Sequence, residues 1–247
     1  MIKYIILGIV QGLTEFFPVS SSGHLVIVQK MLGITQELVS FDIILHLGTT
    51  FALVVFFFKD IIALFKNLKL LGLVFTATVI TGVIGIAGKD LFERLFALPQ
   101  YTAIGLLMTG FILLATQKFM NGRRNAVTLK DAIVMGCMQG IAIIPGISRS
   151  GSTVSALLFR GLDRETSFRF SFIAAIPAVL GAAVFKAKDI GFALEGDVAG
   201  FSLGFISSAL VGMLCLWLLK LMVVRAKLHY FGYYCFVAGI MVILFIK

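Results

Sequence analysis

Two short polar stretches in an otherwise apolar chain hold the residue types that handle phosphate. The first runs from Gln11 and Glu15 to Ser20, Ser21, Ser22, Gly23 and His24; the second is Ser148, Arg149, Ser150, Gly151 and Ser152. Gln11 and Glu15 are four apart and share a helical face. A helix that begins around Ser22 points its free N–H groups into the turn, where they attract an anion. Ser148, Ser150 and Gly151 offer a second such nest, and Arg149 adds a planar fork suited to phosphate oxygens. Together these groups suit hydrolysis of a phosphate ester or anhydride. Ser21 or a neighbour attacks phosphorus, while His24 takes the proton of the nucleophile or supplies one to the leaving group. Glu15 either orients His24 or holds a divalent cation beside the phosphate oxygens.

The two stretches are copies of each other. Gly8, Gln11, Gly12, Ser20, Ser22, Gly23 and Val26 recur 128 positions later, with no gap, as Gly136, Gln139, Gly140, Ser148, Ser150, Gly151 and Val154. Ser21 lies opposite Arg149 and His24 opposite Ser152. A duplicated, interrupted apolar helix points to a ligand site inside a membrane.

Taken singly, each residue has a plainer reading. A membrane histidine commonly bonds one helix to another, serine and glycine pack helix junctions, and Glu15 and Arg149 could simply pair. Asp42 and His46, four apart on one face, suit a structural role as well as a functional one. Arg169 suits snorkelling or anchoring near Asp163 and Glu165. Chemistry is favoured by coincidence of place: ionisable groups in apolar segments cost about 2.5–3.5 kcal/mol each on insertion scales, and they gather at the two repeated turns.

The bulk numbers name the solvent. Of 247 residues, 60% are apolar and 13% charged, with a mean hydropathy of +1.06. That describes a polytopic membrane protein and not a soluble globule. The first apolar stretch carries Glu15 and the serine turn, so it reads as part of the working protein and not as an export signal. The net charge of +9 sits in short loops between apolar spans, which argues for topology and anionic headgroups and against nucleic acid. Cys137, Cys215 and Cys235 lie singly in apolar segments and read as small buried residues.

Apolar runs at 40–58, 68–87, 101–119, 166–186, 198–220 and 229–246 are long enough to cross a hydrocarbon core of about 30 Å. The shorter pairs 2–17 with 24–33, and 130–144 with 152–160, are each joined by a polar turn. Bare turns do not survive in lipid, so each pair reads as a re-entrant hairpin shielded by its neighbours. The expected fold is therefore all-α and integral to the membrane, a single domain over 1–247 with six transmembrane helices and two re-entrant hairpins. Its repeat halves are 1–125 and 126–247, joined at the polar stretch Asn121–Asn125, with Thr128 and Asp131 forming a capping box. Three spans per half is an odd number, so the halves are inverted and the serine turns enter from opposite faces to meet near the midplane. Twelve lysines and arginines fall on one side and seven on the other, which puts the richer side in the cytoplasm and both termini outside. Trp217 suits an interfacial anchor, and Gly200 with Gly204 a packing motif.

At these residues the chain resembles the undecaprenyl-diphosphate phosphatase family of the bacitracin-resistance type. The resemblance rests on Gln11-Gly-Leu-Thr-Glu15-Phe-Phe-Pro-Val-Ser20-Ser-Ser-Gly-His24 and Pro145-Gly-Ile-Ser-Arg149-Ser-Gly-Ser152. Phe41-Asp-Ile-Ile-Leu-His46-Leu-Gly-Thr49 and Phe170-Ser-Phe add to it. It implies a bacterial inner-membrane enzyme that hydrolyses the polyprenyl diphosphate to the monophosphate and inorganic phosphate, recycling the cell-wall lipid carrier. It also implies a divalent cation, Mg²⁺ or Ca²⁺, and a site that opens toward the outer face. By this resemblance Glu15 is the second motif carboxylate, His24 the motif histidine, Ser20 and Ser21 the motif serines with Ser21 the usual nucleophile candidate, and Arg149 the diphosphate-binding arginine between Ser148 and Ser150. Gln11 stands where many members carry the first glutamate, and its carbonyl oxygen remains able to join Glu15 on the metal or bond phosphate. The rival reading is a lipid flippase or phosphate-type transporter, because broken helices in inverted repeats also build carriers. Membrane lipid is the surrounding partner, and the oligomeric state is left open.

Overall fold

In a computed structural model the chain is described over residues 1–34, 39–96, 98–189 and 197–245. Residues 246 and 247, and with them the end of the last apolar run and Lys247, lie outside the described residues. The elements are α1 (Ile2–Phe16), α2 (Ser21–Met31), α3 (Val39–Phe56), α4 (Phe58–Phe65), α5 (Leu68–Ala87) and α6 (Lys89–Phe96). They continue with α7 (Pro99–Ala115), α8 (Leu129–Ile141), α9 (Arg149–Phe159), α10 (Arg164–Asp189), α11 (Val198–Val224) and α12 (Tyr230–Phe245). Five stretches among them are long and apolar enough to cross a bilayer: Val39–Phe56, Leu68–Ala87, Gln100–Phe119, Arg164–Lys188 and Val198–Val224. The sixth expected span, α12, is apolar but only 16 residues long. The expected runs 40–58 and 101–119 are each divided. The first breaks at Phe57 before the short amphipathic α4, and the second ends in a 3-10 turn over Thr116–Phe119.

Close helix crossings follow the repeated glycines. Gly8 on α1 lies against α11, where a Cβ would overlap Ser207 and sit 2.6 Å from the Gly204 carbonyl. Gly136, its counterpart on α8, lies against α5, where a Cβ would be 2.8 Å from the Ala77 carbonyl. Small residues let backbones approach where lipid supplies no hydrophobic drive between helices. Gly200 and Gly204 do pack, against the rings of Tyr4 and Phe41, while Trp217 is exposed.

Beneath the two polar turns lies an aromatic cluster. Phe168 and Phe172 on α10 have centroids 4.8 Å apart, and Phe57 and Phe16 join them at 5.7 and 6.0 Å. Such pairs add about 0.5–1.5 kcal/mol each beyond burial, and they tie α1, the break between α3 and α4, and α10 into one floor.

The foot of α8 is fixed by a buried carboxylate. Thr128 and Asp131 form the expected capping box. Asp131 also accepts from both terminal nitrogens of Arg124 at 2.5 and 2.8 Å and from Arg160 Nε at 3.0 Å. Burial alone would raise its pKa; the bonds from Arg124, Thr128 and Arg160 outweigh that and hold it well below the usual carboxylate range. The start of α8 and the end of α9 are thereby locked together, so both feet of the second helix pair are anchored. Arg169 is held by Asp60 at 2.9 Å as well as by Glu165.

Candidate active site at the two helix-pair tips

The turn of the first pair and the turn of the second meet. A Cβ on Gly151 would lie 3.0 Å from Pro18, and Arg149 Nη2 donates to Glu15 Oε1 at 2.5 Å. The second turn makes its own polar enclosure: Thr109 on α7 donates to the Gly146 carbonyl and accepts from Ser148 N–H, each at 3.0 Å. Backbone groups that lipid would leave unpaired are satisfied by the protein.

Glu15 is the hub. Its Oε2 accepts from Ser21 Oγ at 2.7 Å and from Gln11 Nε2 at 3.2 Å, while Oε1 takes Arg149. Gln11 Nε2 also lies 3.0 Å from His46 Nδ1, and that nitrogen is 3.6 Å from Glu15 Oε2. Gln11 and Glu15 share one face of α1 as their spacing requires. The Arg149 guanidinium rests over the Phe172 ring, 5.9 Å from its centroid. Two buried atoms here have no hydrogen-bond partner among the described residues, Arg149 Nη1 and Gln11 Oε1. One is a donor suited to an anion and the other a hard oxygen suited to a cation.

The serine pairs behave alike in both copies. Ser20 and Ser22 hydroxyls are 3.4 Å apart, and Ser148 and Ser150 hydroxyls 3.2 Å. Ser148 caps α9 by accepting from Gly151 N–H, whereas Ser20 makes no side-chain cap on α2. Gly23 lies against Thr102 of α7. Ser152 is buried, and its hydroxyl has no partner among the described residues.

His24 departs from expectation. Glu15 does not orient it. Its Nδ1 donates to the Ser20 carbonyl at 2.8 Å and its Nε2 lies 2.7 Å from Tyr234 Oη. The imidazole beside Glu15 is His46, which spacing alone left between a structural and a functional reading. Its neighbour Asp42 goes elsewhere, accepting from Gln29 at 2.9 Å. Tyr234 was not singled out by sequence at all, since a tyrosine in an apolar helix gives no signal of a partner 210 positions away.

For a divalent cation the donor set is thin. Among the described residues no group of three or more His, Cys, Asp and Glu side chains could hold a metal. Glu15 with the free Gln11 Oε1 gives two oxygens. That fits a cation whose remaining ligands are phosphate oxygens and water, and does not fit an all-protein cage.

The family model described as bacitracin resistance protein BacA matches residues 4–241. The chain belongs to the BacA family. Its relatives include a protein of Carboxydothermus hydrogenoformans named undecaprenyl-diphosphatase, 42% identical over 97% of this chain and 95% of its own length. Proteins of the same name from Alkaliphilus metalliredigens and Rhodopirellula baltica are each 40% identical. The first covers 98% of both chains, the second 99% of this one and 97% of its own. With five long apolar helices among its described residues, this BacA-family chain is a multi-pass membrane protein.

Proposed function

We propose that the chain hydrolyses undecaprenyl diphosphate to undecaprenyl phosphate and inorganic phosphate, returning the cell-wall lipid carrier to use. The observation that carries the chemistry is the chain of contacts Ser21–Glu15–Arg149 across the two turns; the names of the relatives supply the substrate. A carrier reading of the same turns has no observation of its own.

Ser21 attacks the terminal phosphorus and passes its proton to Glu15, whose Oε2 already accepts it. The new Ser21–phosphorus bond replaces the bond to the bridging oxygen, and the lipid monophosphate leaves. Arg149 meets the charge on the phosphoryl oxygens through its unpartnered Nη1, helped by Ser20, Ser22, Ser148, Ser150 and Ser152 and by the N–H groups that open α2 and α9, including Gly23 and Gly151. Water then attacks the phosphoserine and gives its proton to the hydrogen-bonded pair of Tyr234 and His24, while Glu15 returns its proton to the Ser21 oxygen. Glu15 and Gln11 would hold Mg²⁺ or Ca²⁺, which would supply neutralisation of diphosphate charge.

A small cleft lined by Ser22, Gly23, Val26, Lys30, Thr102 and Val242 lies beside the first serine turn, and we infer that the lipid next to the head leaves the site there. The apolar chain has lipid as its alternative surroundings, so selectivity falls to the head. The membrane arrangement we infer is six spans and two re-entrant pairs in an inverted repeat over 1–125 and 126–247. It sits in the inner membrane with both termini outside. In its support, the crossing of α1 with α11 repeats as that of α8 with α5, and the same offset of 128 relates the glycines that make each crossing.

The test is phosphate release by purified protein in detergent, given a polyprenyl diphosphate with Mg²⁺ or Ca²⁺ and then with excess chelator. Release that depends on the cation is expected. Release in detergent is not transport, and none at all would overturn the hydrolase reading.

A further inference from the structure

Ser20 is one of two non-glycine residues at positive φ among the described residues, with φ 66° and ψ 97°. A serine there is strained. Its counterpart Ser148 sits at φ −74° and ψ 121° and makes an ordinary cap. The two turns thus share a sequence pattern but not a backbone, and the strained copy is the one followed by a histidine.

In this backbone conformation the Ser20 carbonyl faces His24 Nδ1 at 2.8 Å. A carbonyl oxygen only accepts, so Nδ1 carries the proton. In the neutral ring Nε2 then has a lone pair, and Tyr234 Oη at 2.7 Å donates to it. The two rings lie nearly parallel, 17° apart in plane and 5.8 Å between centroids. The next residue, Cys235, is buried and donates its thiol to the Pro18 carbonyl at 3.3 Å. Two successive residues of α12 therefore hold the same turn, one by its backbone and one by its histidine.

We propose that Tyr234 is a positioning residue for His24, holding the imidazole as the Nδ1–H tautomer with its basic nitrogen bonded to α12 and not to Glu15. The proposal rests on the hydrolase reading. It separates two proton acceptors, Glu15 for the Ser21 hydroxyl and His24 for the water that attacks later. The phenol suits this task because its oxygen both donates and accepts. When water gives up its proton, the phenol oxygen takes it while passing its own to Nε2; the new N–H then donates to Tyr234 and the ring keeps its place.

The experiment uses full-length protein labelled with ¹⁵N-histidine in detergent. The chain has three histidines, and His24→Asn assigns the His24 signals by their loss. In the wild type His24 should show a protonated Nδ1 and a hydrogen-bonded Nε2. Tyr234→Phe keeps the ring, and should move the Nε2 resonance toward that of a free acceptor. It should also lower kcat about ten-fold, the scale of one lost hydrogen bond, with KM unchanged. Tyr233→Phe, at an exposed neighbour, should leave both readouts alone. A wild-type His24 protonated at Nε2 overturns the proposal, as does a Tyr234→Phe enzyme with unaltered kcat and resonance. If that variant does not fold, the wild-type tautomer decides. Absence of phosphate release by the wild type would sink the hydrolase reading separately, because the tautomer is read without substrate.

Discussion

Arg149 and Glu15 meet at 2.5 Å across 134 residues of chain. They come from opposite copies of a repeated turn, at positions the repeat does not equate: Arg149 corresponds to Ser21, and Glu15 to Ile143. A symmetric duplication would have set like against like. The divergence of the copies has instead set a serine hydroxyl and a carboxylate on one side and a guanidinium on the other.

Arg149 is asked for more than charge. One terminal nitrogen is engaged by Glu15, the other is buried without a partner among the described residues, and the plane lies over Phe172. A lysine keeps the charge and loses the fork. Arg149→Lys should therefore lower kcat by about a hundred-fold or more, the usual scale for losing a preorganised donor to a developing charge. Steady-state phosphate release against a detergent melting curve checks this. A lysine variant with wild-type turnover would reduce Arg149 to a counter-ion of Glu15.

Ser21→Ala tests the nucleophile. Its hydroxyl is the only part of it that Glu15 holds, at 2.7 Å, so the alanine leaves the turn intact and removes the attacking atom. Turnover should vanish while binding of a polyprenyl diphosphate, followed by isothermal titration, stays near that of the wild type. Near-normal turnover would hand the attack to Ser20, Ser22 or water.

Much of this centre is legible in sequence because the repeat marks it: Gln11, Glu15, Ser21 and Arg149 sit at a duplicated break in an apolar helix, and the structure brings them within bonding reach of one carboxylate. Of the two roles offered for Glu15, orienting His24 is not the one seen: the imidazole is held by the Ser20 carbonyl and Tyr234, and a serine gives no sign of the positive φ found at Ser20. His46 and Tyr234 contact their partners across 35 and 210 positions, where no spacing rule applies. Helices α4 and α6 escape an apolar-run reading because they are short and amphipathic. The capping box at Thr128 was readable, being local, while the arginines that close on Asp131 were not.

Asp131 gives a stability prediction with a definite pH dependence. It lies at the foot of α8, outside the five long spans, and its folded pKa is depressed. A depressed carboxylate stabilises the fold fully above its unfolded pKa of about 4 and progressively loses that contribution as the pH falls toward the folded value. The wild-type melting temperature should therefore decline below about pH 4. Asp131→Asn should be less stable at neutral pH by about 1–2 kcal/mol, the scale for losing charge-assisted hydrogen bonds to arginines that water still reaches, and its melting temperature should show a flatter acid limb. An asparagine variant as stable as the wild type at pH 7 would mean that Arg124 and Arg160 are satisfied without it.

The orientation of the chain is open to a direct check. In the inferred topology the loop around Glu93, on α6, faces outside, and Arg124, beside the junction of the halves, faces the cytoplasm. The native cysteines Cys215 and Cys235 are buried and Cys137 is partly so, which keeps background labelling by a membrane-impermeant maleimide low. In intact cells a cysteine placed at Glu93 should react, and one placed at Arg124 should react only after the membrane is opened. Arg124 holds Asp131, so a second cytoplasmic probe at the neighbouring Arg123, which is clear of that latch, guards against a misfolded variant. Labelling of the Arg123 and Arg124 positions from outside, with Glu93 protected, would turn the molecule over and put both termini in the cytoplasm.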